Sequence, residues 1–239
     1  MRGGVRVVFW DFDGTLAFRD GLWSSALASA LISVAPGLSP TAENFRVSLT
    51  DGFPWHEPET VRAVESASEW WDALQPLFRS AYANAGVHPG TADEAIAQIP
   101  GEFYRPSAWT LAGDAVTALR STEQAGYRNV ILSNHAPELP VLVTALGLGP
   151  MVDTTVTSAL VGAEKPNPRI FRHALQLTGA GEDVWMVGDN PVADIDGARA
   201  VGIRAIYVGD GRTLTDSAAE IIAAGRDSHP QAPASEPSQ

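Results

Sequence analysis

The chain has 239 residues, 16 of them basic and 28 acidic, for a net charge of −12; that balance excludes nucleic acid and anionic membrane as main partners, since both reward basic patches. It contains no cysteine, which excludes a disulfide framework, a thiolate metal site and a cysteine nucleophile. The length fits one core carrying a large insertion, or two small domains, and is ample for burying a core without staples.

Residues 7–10 read as an opening strand. The apolar run 5–10 is too short for a secretory h-region and acids follow at once, and no stretch of about 18 apolar residues exists, so the expectation is a soluble cytoplasmic protein with no membrane partner. Residues 18–105 carry helical patterns at 22–34, 59–85 and 92–98 and no convincing strand, which predicts a separate helical domain. From residue 106 the rhythm changes. A helix over 114–125 stops at Gly126, and a buried strand follows over 128–133. Next come a helix at 138–146, a weaker strand at 153–158, a helix at 168–177, a strand at 184–188, a helix at 193–201 and a strand at 205–208. This β-α alternation predicts an α/β fold, a doubly wound, Rossmann-like parallel sheet with helices on both faces. The expected division is a core of residues 1–17 and 106–225, a helical insertion at 18–105, and a Pro-, Ser- and Ala-rich tail from 226 that reads as disordered.

The strongest chemical signal is Asp11-Phe12-Asp13-Gly14-Thr15-Leu16 at the end of the first strand. Ligands bind outside the carboxyl ends of the strands in such a sheet, and strand alternation sends Asp11 and Asp13 to one side and Phe12 to the other. Two carboxylates this close suit a metal site, a proton-sharing pair, or both; a lone Asp-x-Asp-Gly also serves as a plain turn. Ser133-Asn134, Lys165-Pro166 and Gly188-Asp189, with Asp194 and Asp196 beyond, fall at the ends of other strands. Singly they read as a cap, a solvated charge and a turn. Jointly they bring acids, a hydroxyl and a cation to one rim of one sheet. The cation stands out, because the chain has fifteen arginines and one lysine, Lys165.

These four ordered segments resemble the motifs of the haloacid dehalogenase superfamily, and the insertion resembles the helical cap of its phosphatase-like branch. The likeness runs from about residue 5 to 208; Ser133-Asn134-His135, Glu164-Lys165-Pro166 and Trp70-Trp71 are similar to a subgroup of hydrolases without assigned substrates. It implies that Asp11 is a nucleophile forming an aspartyl-phosphate and that Asp13 is the acid and base. Ser133 and Asn134 would bind phosphoryl oxygens, and Lys165 would both bind and neutralise the phosphate. Mg²⁺ would be held by Asp11, the Asp13 main chain and Asp189, with Asp194 orienting a metal-bound water or the lysine. A dianion approaching one carboxylate at ~4 Å meets about 8 kcal/mol of repulsion at an effective dielectric near 20, which rationalises the cation. The implied function is Mg²⁺-dependent hydrolysis of a small-molecule phosphate monoester by a monomer or homodimer. The alternatives are a phosphomutase and a non-catalytic binding or signalling protein. The acid at Asp13 disfavours dehalogenation, and a cap without lysine disfavours phosphonate cleavage. Asp196 matches no motif position and reads as structural. Trp23, Trp55, Trp70 and Trp71 read as packing, Arg19, Arg46 and Arg105 as solvated surface, and His135 as a neighbour of the substrate.

Overall fold

Alternate residues of the opening strand enter different cores. Val7 and Phe9 pack with Val130, Leu132, Val184 and Met186 on one face of the sheet. Val8 and Trp10 pack with Ile131, Trp185, Val187 and Ile206 on the other. A strand apolar on both faces is what a parallel sheet covered by helices on both sides requires. The computed structural model describes residues 4–62, 64 and 66–228.

The strands are β1 (Val5–Trp10), β2 (Ala17–Phe18), β3 (Thr110–Leu111), β4 (Arg128–Ser133), β5 (Thr154–Thr157), β6 (Ala180–Gly188) and β7 (Arg204–Tyr207). The helices are α1 (Leu22–Val34), α2 (Glu43–Arg46), α3 (Ala67–Asn84), α4 (Pro89–Phe103), α5 (Ala115–Gln124), α6 (Leu139–Ala145), α7 (Ser158–Val161), α8 (Pro168–Thr178), α9 (Gly197–Arg199) and α10 (Leu214–Ser228). Five strands form one parallel sheet in the order β5-β4-β1-β6-β7. Connections from β1 run to one side and those from β6 to the other, so the direction reverses between these two strands, where α/β sheets open a ligand crevice. In register, Trp10 lies beside Ile131 of β4 and Val187 of β6, so the residues after β1, β4 and β6 emerge together. At β6, Asp183 accepts from the Arg6 Nε (2.9 Å) and the Tyr127 hydroxyl (2.8 Å). These bonds overcome the upward push of burial and hold the Asp183 carboxyl below its ordinary range.

Helices α1 to α4 lie between β2 and β3, which pair antiparallel, Ala17 with Leu111 and Phe18 with Thr110, and so tie the two ends of the insertion together. The sequence pattern shows no strand there, because two-residue strands carry no period. The helix predicted over 59–85 begins only at Ala67. Ser66 adopts an extended conformation and its hydroxyl accepts the Glu69 N–H, an N-cap that starts the helix late. The short helix predicted at 92–98 instead fills Pro89–Phe103, with Ala92, Ala95, Ile96, Ile99 and Phe103 forming its buried face. The stretch predicted as a helix at 193–201 splits into a wide turn, Pro191–Asp196, capped by the Asn190 side chain, and the short α9.

Helix α10 has no counterpart in the predicted elements. It packs against α5 and buries Leu214, Ala218 and Ile221, a spacing that one helical face demands. Because it continues to Ser228, the first three residues of the predicted tail are helical; the remainder of that prediction lies outside the described residues.

Candidate active site

Backbone geometry at the end of β1 aims the paired acids. The Asp11 N–H donates to the Val187 carbonyl at 2.9 Å, extending the sheet one residue, and the chain then folds back as Thr15 and Ala17 donate to the Phe12 carbonyl. Gly14 makes this turn at φ +82°, and a Cβ there would stand 2.5 Å from an Asp189 carboxylate oxygen. Glycine is thus demanded both by conformation and by close approach. Phe12 points away and is fully buried, its ring 5.3 Å from that of Trp109, while Asp11 and Asp13 line one cavity. Thr15 donates its hydroxyl to Asp189 at 3.0 Å, holding the acid that follows β6 against the acids that follow β1.

Lys165 is buried and spends all three ammonium protons. It donates to Asp11 Oδ1 (2.8 Å), Asp194 Oδ1 (2.5 Å) and the Leu132 carbonyl (2.9 Å). Its main chain is gripped by Asn134: the Lys165 N–H donates to Asn134 Oδ1 (2.6 Å), and Asn134 Nδ2 donates to the Lys165 carbonyl (2.9 Å). The Lys165–Pro166 peptide is cis. Asn134 thus positions Lys165, and its side chain also lines the cavity. Ser133 also lines the cavity, and its hydroxyl makes no hydrogen bond among the described residues. Asp194 has both oxygens engaged, Oδ2 accepting the Asn190 N–H at 3.0 Å, so it orients the lysine. Asp196 is exposed.

Electrostatically, four acids face one ammonium group. Burial, then Asp11 and Asp189, push the Asp13 carboxyl up to about 8, against the pull of Arg19 and Lys165. Burial and Asp11 raise Asp189 and Asp194 as well. Burial alone would lower Lys165, yet Asp11 and Asp194 outweigh it and raise the ammonium to about 12. Both shifts run in the direction that favours a charged Lys165 and a proton on Asp13.

The acids occupy one pole of a cavity of about 800 Å³, whose other pole is built by the insertion from Leu22, Trp23, Phe53, Trp55 and Phe103. Packing was the expectation for the tryptophans, and it describes Trp70 and Trp71, which do not line the cavity; Trp71 Nε1 donates instead to Glu138 Oε1 at 2.8 Å. Trp23 and Trp55 do line it. His135 lines it too, with the Tyr104 hydroxyl 2.6 Å from Nδ1, and burial pushes its ring down to about 3, so it is neutral. Arg46 and Arg105 are surface residues paired with Glu43 and Glu102. Arg19 corrects the expectation of a solvated charge: it is 6% exposed, its Nε donates to the Leu22 carbonyl, and it lies over the Phe103 ring.

One oxygen each from Asp11, Asp189 and Asp194 fall within 4.8 Å of one another. The donor set is all carboxylate, the hard-oxygen chemistry that Mg²⁺ selects. Asp11 Oδ1 is taken by Lys165, and its second oxygen makes no hydrogen bond among the described residues. The residues present therefore fit a divalent cation. Among the described residues no helix is long and apolar enough to cross a membrane.

A family model described as haloacid dehalogenase-like hydrolase matches residues 5–202. The mouse haloacid dehalogenase-like hydrolase domain-containing protein 3 is 34% identical over 159 residues, 66% of this chain and 61% of that protein, so the chain spans about six-tenths of this relative's length. A phosphoserine phosphatase of Thermus thermophilus is 33% identical over 190 residues, 78% of this chain and 74% of its own. The crystal structure of a HAD phosphatase from Thermococcus onnurineus superposes with a TM-score of 0.60 at 20% identity, covering 91% of this chain and 98% of that one, a likeness of fold.

Proposed function

The chain belongs to the haloacid dehalogenase-like hydrolase family, and from that membership we propose that it is a Mg²⁺-dependent phosphatase that hydrolyses a small-molecule phosphate monoester through an aspartyl-phosphate on Asp11. The observation that carries this reading is the pairing of Asp11, ion-paired to the only lysine, with a second acid, Asp13, on the same cavity wall. A leaving alkoxide needs a proton and a leaving halide does not, so Asp13 favours ester cleavage over dehalogenation. The phosphatase name of the Thermus relative agrees.

Asp11, the Asp13 main-chain carbonyl and Asp189 would hold Mg²⁺, which when bound supplies positive charge that offsets the repulsion between the phosphate and the acids. The chain's own residues do the rest. A carboxylate oxygen of Asp11 attacks phosphorus and the bond from phosphorus to the ester oxygen breaks. Asp13 gives its proton to that oxygen, and the alcohol departs. Asp13, now a carboxylate, takes a proton from water, whose oxygen attacks phosphorus; the bond to Asp11 breaks, releasing phosphate and restoring the carboxylate. Ser133 donates to a phosphoryl oxygen, and Lys165 offsets the charge gathering there. Asn134 and Asp194 position Lys165. We take the helical insertion, residues 18–105, as the cap that closes over the core of residues 1–17 and 106–225 and limits water and substrate access.

Phosphate release from 4-nitrophenyl phosphate and a panel of natural esters tests this reading. Turnover that needs Mg²⁺, stops on chelation and is absent from Asp11→Asn is the expected result. Release that persists in Asp11→Asn would overturn it.

A further inference from the structure

The cavity continues without interruption from the acids to the rings of the insertion. If the phosphoryl group sits against Asp11 and Ser133, the rest of the ester must extend toward those rings. Building on the phosphatase reading, we propose that this pole is a seat for a bulky apolar leaving group, aromatic by preference, and that the preferred substrate is a phosphate ester of such an alcohol.

Three observations support this seat. First, its wall is backed by stacked ring pairs, Trp23 on Phe103 with centroids 4.0 Å apart and Phe53 on Trp55 at 4.4 Å, from which half-buried Trp55 and exposed Leu22 present apolar surface to the cavity. Flat apolar groups pack well on ring faces and shed water as they do. Second, among the described residues of the insertion that line the cavity there is no acid. An ammonium group on the substrate, such as an amino-acid ester carries, would lose water there without gaining a counter-charge. The arginine on that side, Arg46, already faces Glu43. Third, Leu22 sits at the first turn of α1 with φ +42°, a left-handed conformation that is uncommon for leucine. Its N–H donates to the Arg19 carbonyl and its own carbonyl accepts from Arg19 Nε. This clasp holds a large apolar side chain 39% exposed at the cavity. Strained backbone of this kind gathers at ligand clamps.

The test separates binding from turnover. The wild-type protein with Mg²⁺ is titrated calorimetrically with 2-phenylethylphosphonate and with ethylphosphonate, which carry the same head group. The kcat/KM values of the matching phosphate esters, whose leaving alcohols differ little in basicity, are measured beside them. The phenyl compound should win both comparisons by on the order of 100-fold. Trp55→Ala should cut the ratio at least about tenfold, mainly through KM for the esters. Leu22→Gly relieves the strain and removes the side chain, so it should lower the ratio while retaining thermal stability. Equal affinity for the two phosphonates, or phosphoserine turned over faster than 2-phenylethyl phosphate, would overturn the inference. Phosphonate selectivity without release from any ester would overturn the phosphatase reading while supporting the apolar seat.

Discussion

The two poles of the cavity are built on opposite principles. At the sheet rim, directional bonds fix the lysine and its neighbours: Lys165 to Asp11 and Asp194, Asn134 to the Lys165 main chain, Thr15 to Asp189. At the insertion, the wall is mainly rings held by one another, with the Arg19–Leu22 clasp beside them. Directional bonds hold reacting groups to tenths of an ångström, which bond making and proton transfer require. Ring packing tolerates variation in what it contacts, which suits selection of a leaving group. Chemistry and selectivity thus reside in different layers of one cavity, and separate substitutions should affect them separately.

The largest expected effect breaks the acid pole alone. Asp11→Asn should lower kcat at least about 10⁴-fold on every ester, while affinity for 2-phenylethylphosphonate relative to ethylphosphonate, read by calorimetry, is retained. Loss of that preference together with turnover would mean that the poles are not separable. Lys165→Met comes next. It strips the shared cation from two buried acids and should cost about 3–5 kcal/mol in urea denaturation, with kcat reduced roughly 10³-fold in whatever protein remains folded.

Glu164 gives a smaller effect and one of opposite sign. Burial pushes its carboxyl up to about 7, against the downward pull of a Ser158 hydrogen bond, Lys165 and Arg62, and one of its oxygens has no partner. Its folded value lies above the unfolded 4.5, so the fold holds the proton more tightly. Its contribution to stability is full below pH 4.5 and is lost as pH rises through 7. Glu164→Gln should therefore be more stable than wild type at pH 8 by roughly 1–3 kcal/mol in urea titrations, and the gain should vanish near pH 4. The smallest effect concerns the join between the poles. Trp71→Phe removes the bond from the insertion to Glu138 and should lower stability by about 1 kcal/mol, seen as a fall of a few degrees in Tm.

The acid pole was legible in sequence because its residues sit at strand ends, where the sheet sets their direction. Strand 128–133 emerged with its predicted bounds, as did helix 22–34, since both combine a clear apolar pattern with clear stops. The division of labour among those residues was less legible. Nothing local in Ser133-Asn134 indicates that the Asn134 amide also grips the Lys165 main chain. The aromatic pole was hidden for a physical reason: Phe53 and Trp55 come from an irregular stretch and a single short turn, Trp23 and Phe103 from helices far apart in sequence, and no local period registers such convergence. Arg19 was misread because nothing local indicates that α1 and Phe103 will cover it. Helix α10 was a different kind of miss, since Leu214, Ala218 and Ile221 carry the helical spacing openly.

The central claim, that Asp11 carries the phosphoryl group during turnover, is tested most directly by acid-quenching the protein while it hydrolyses 4-nitrophenyl phosphate and weighing its peptides. Phosphoryl transfer to Asp11 predicts the added mass of one HPO₃ on the peptide containing Asp11, present only with Mg²⁺ and absent from Asp11→Asn. Steady release of phosphate with no covalent adduct on that peptide, and turnover surviving in Asp11→Asn, would contradict it.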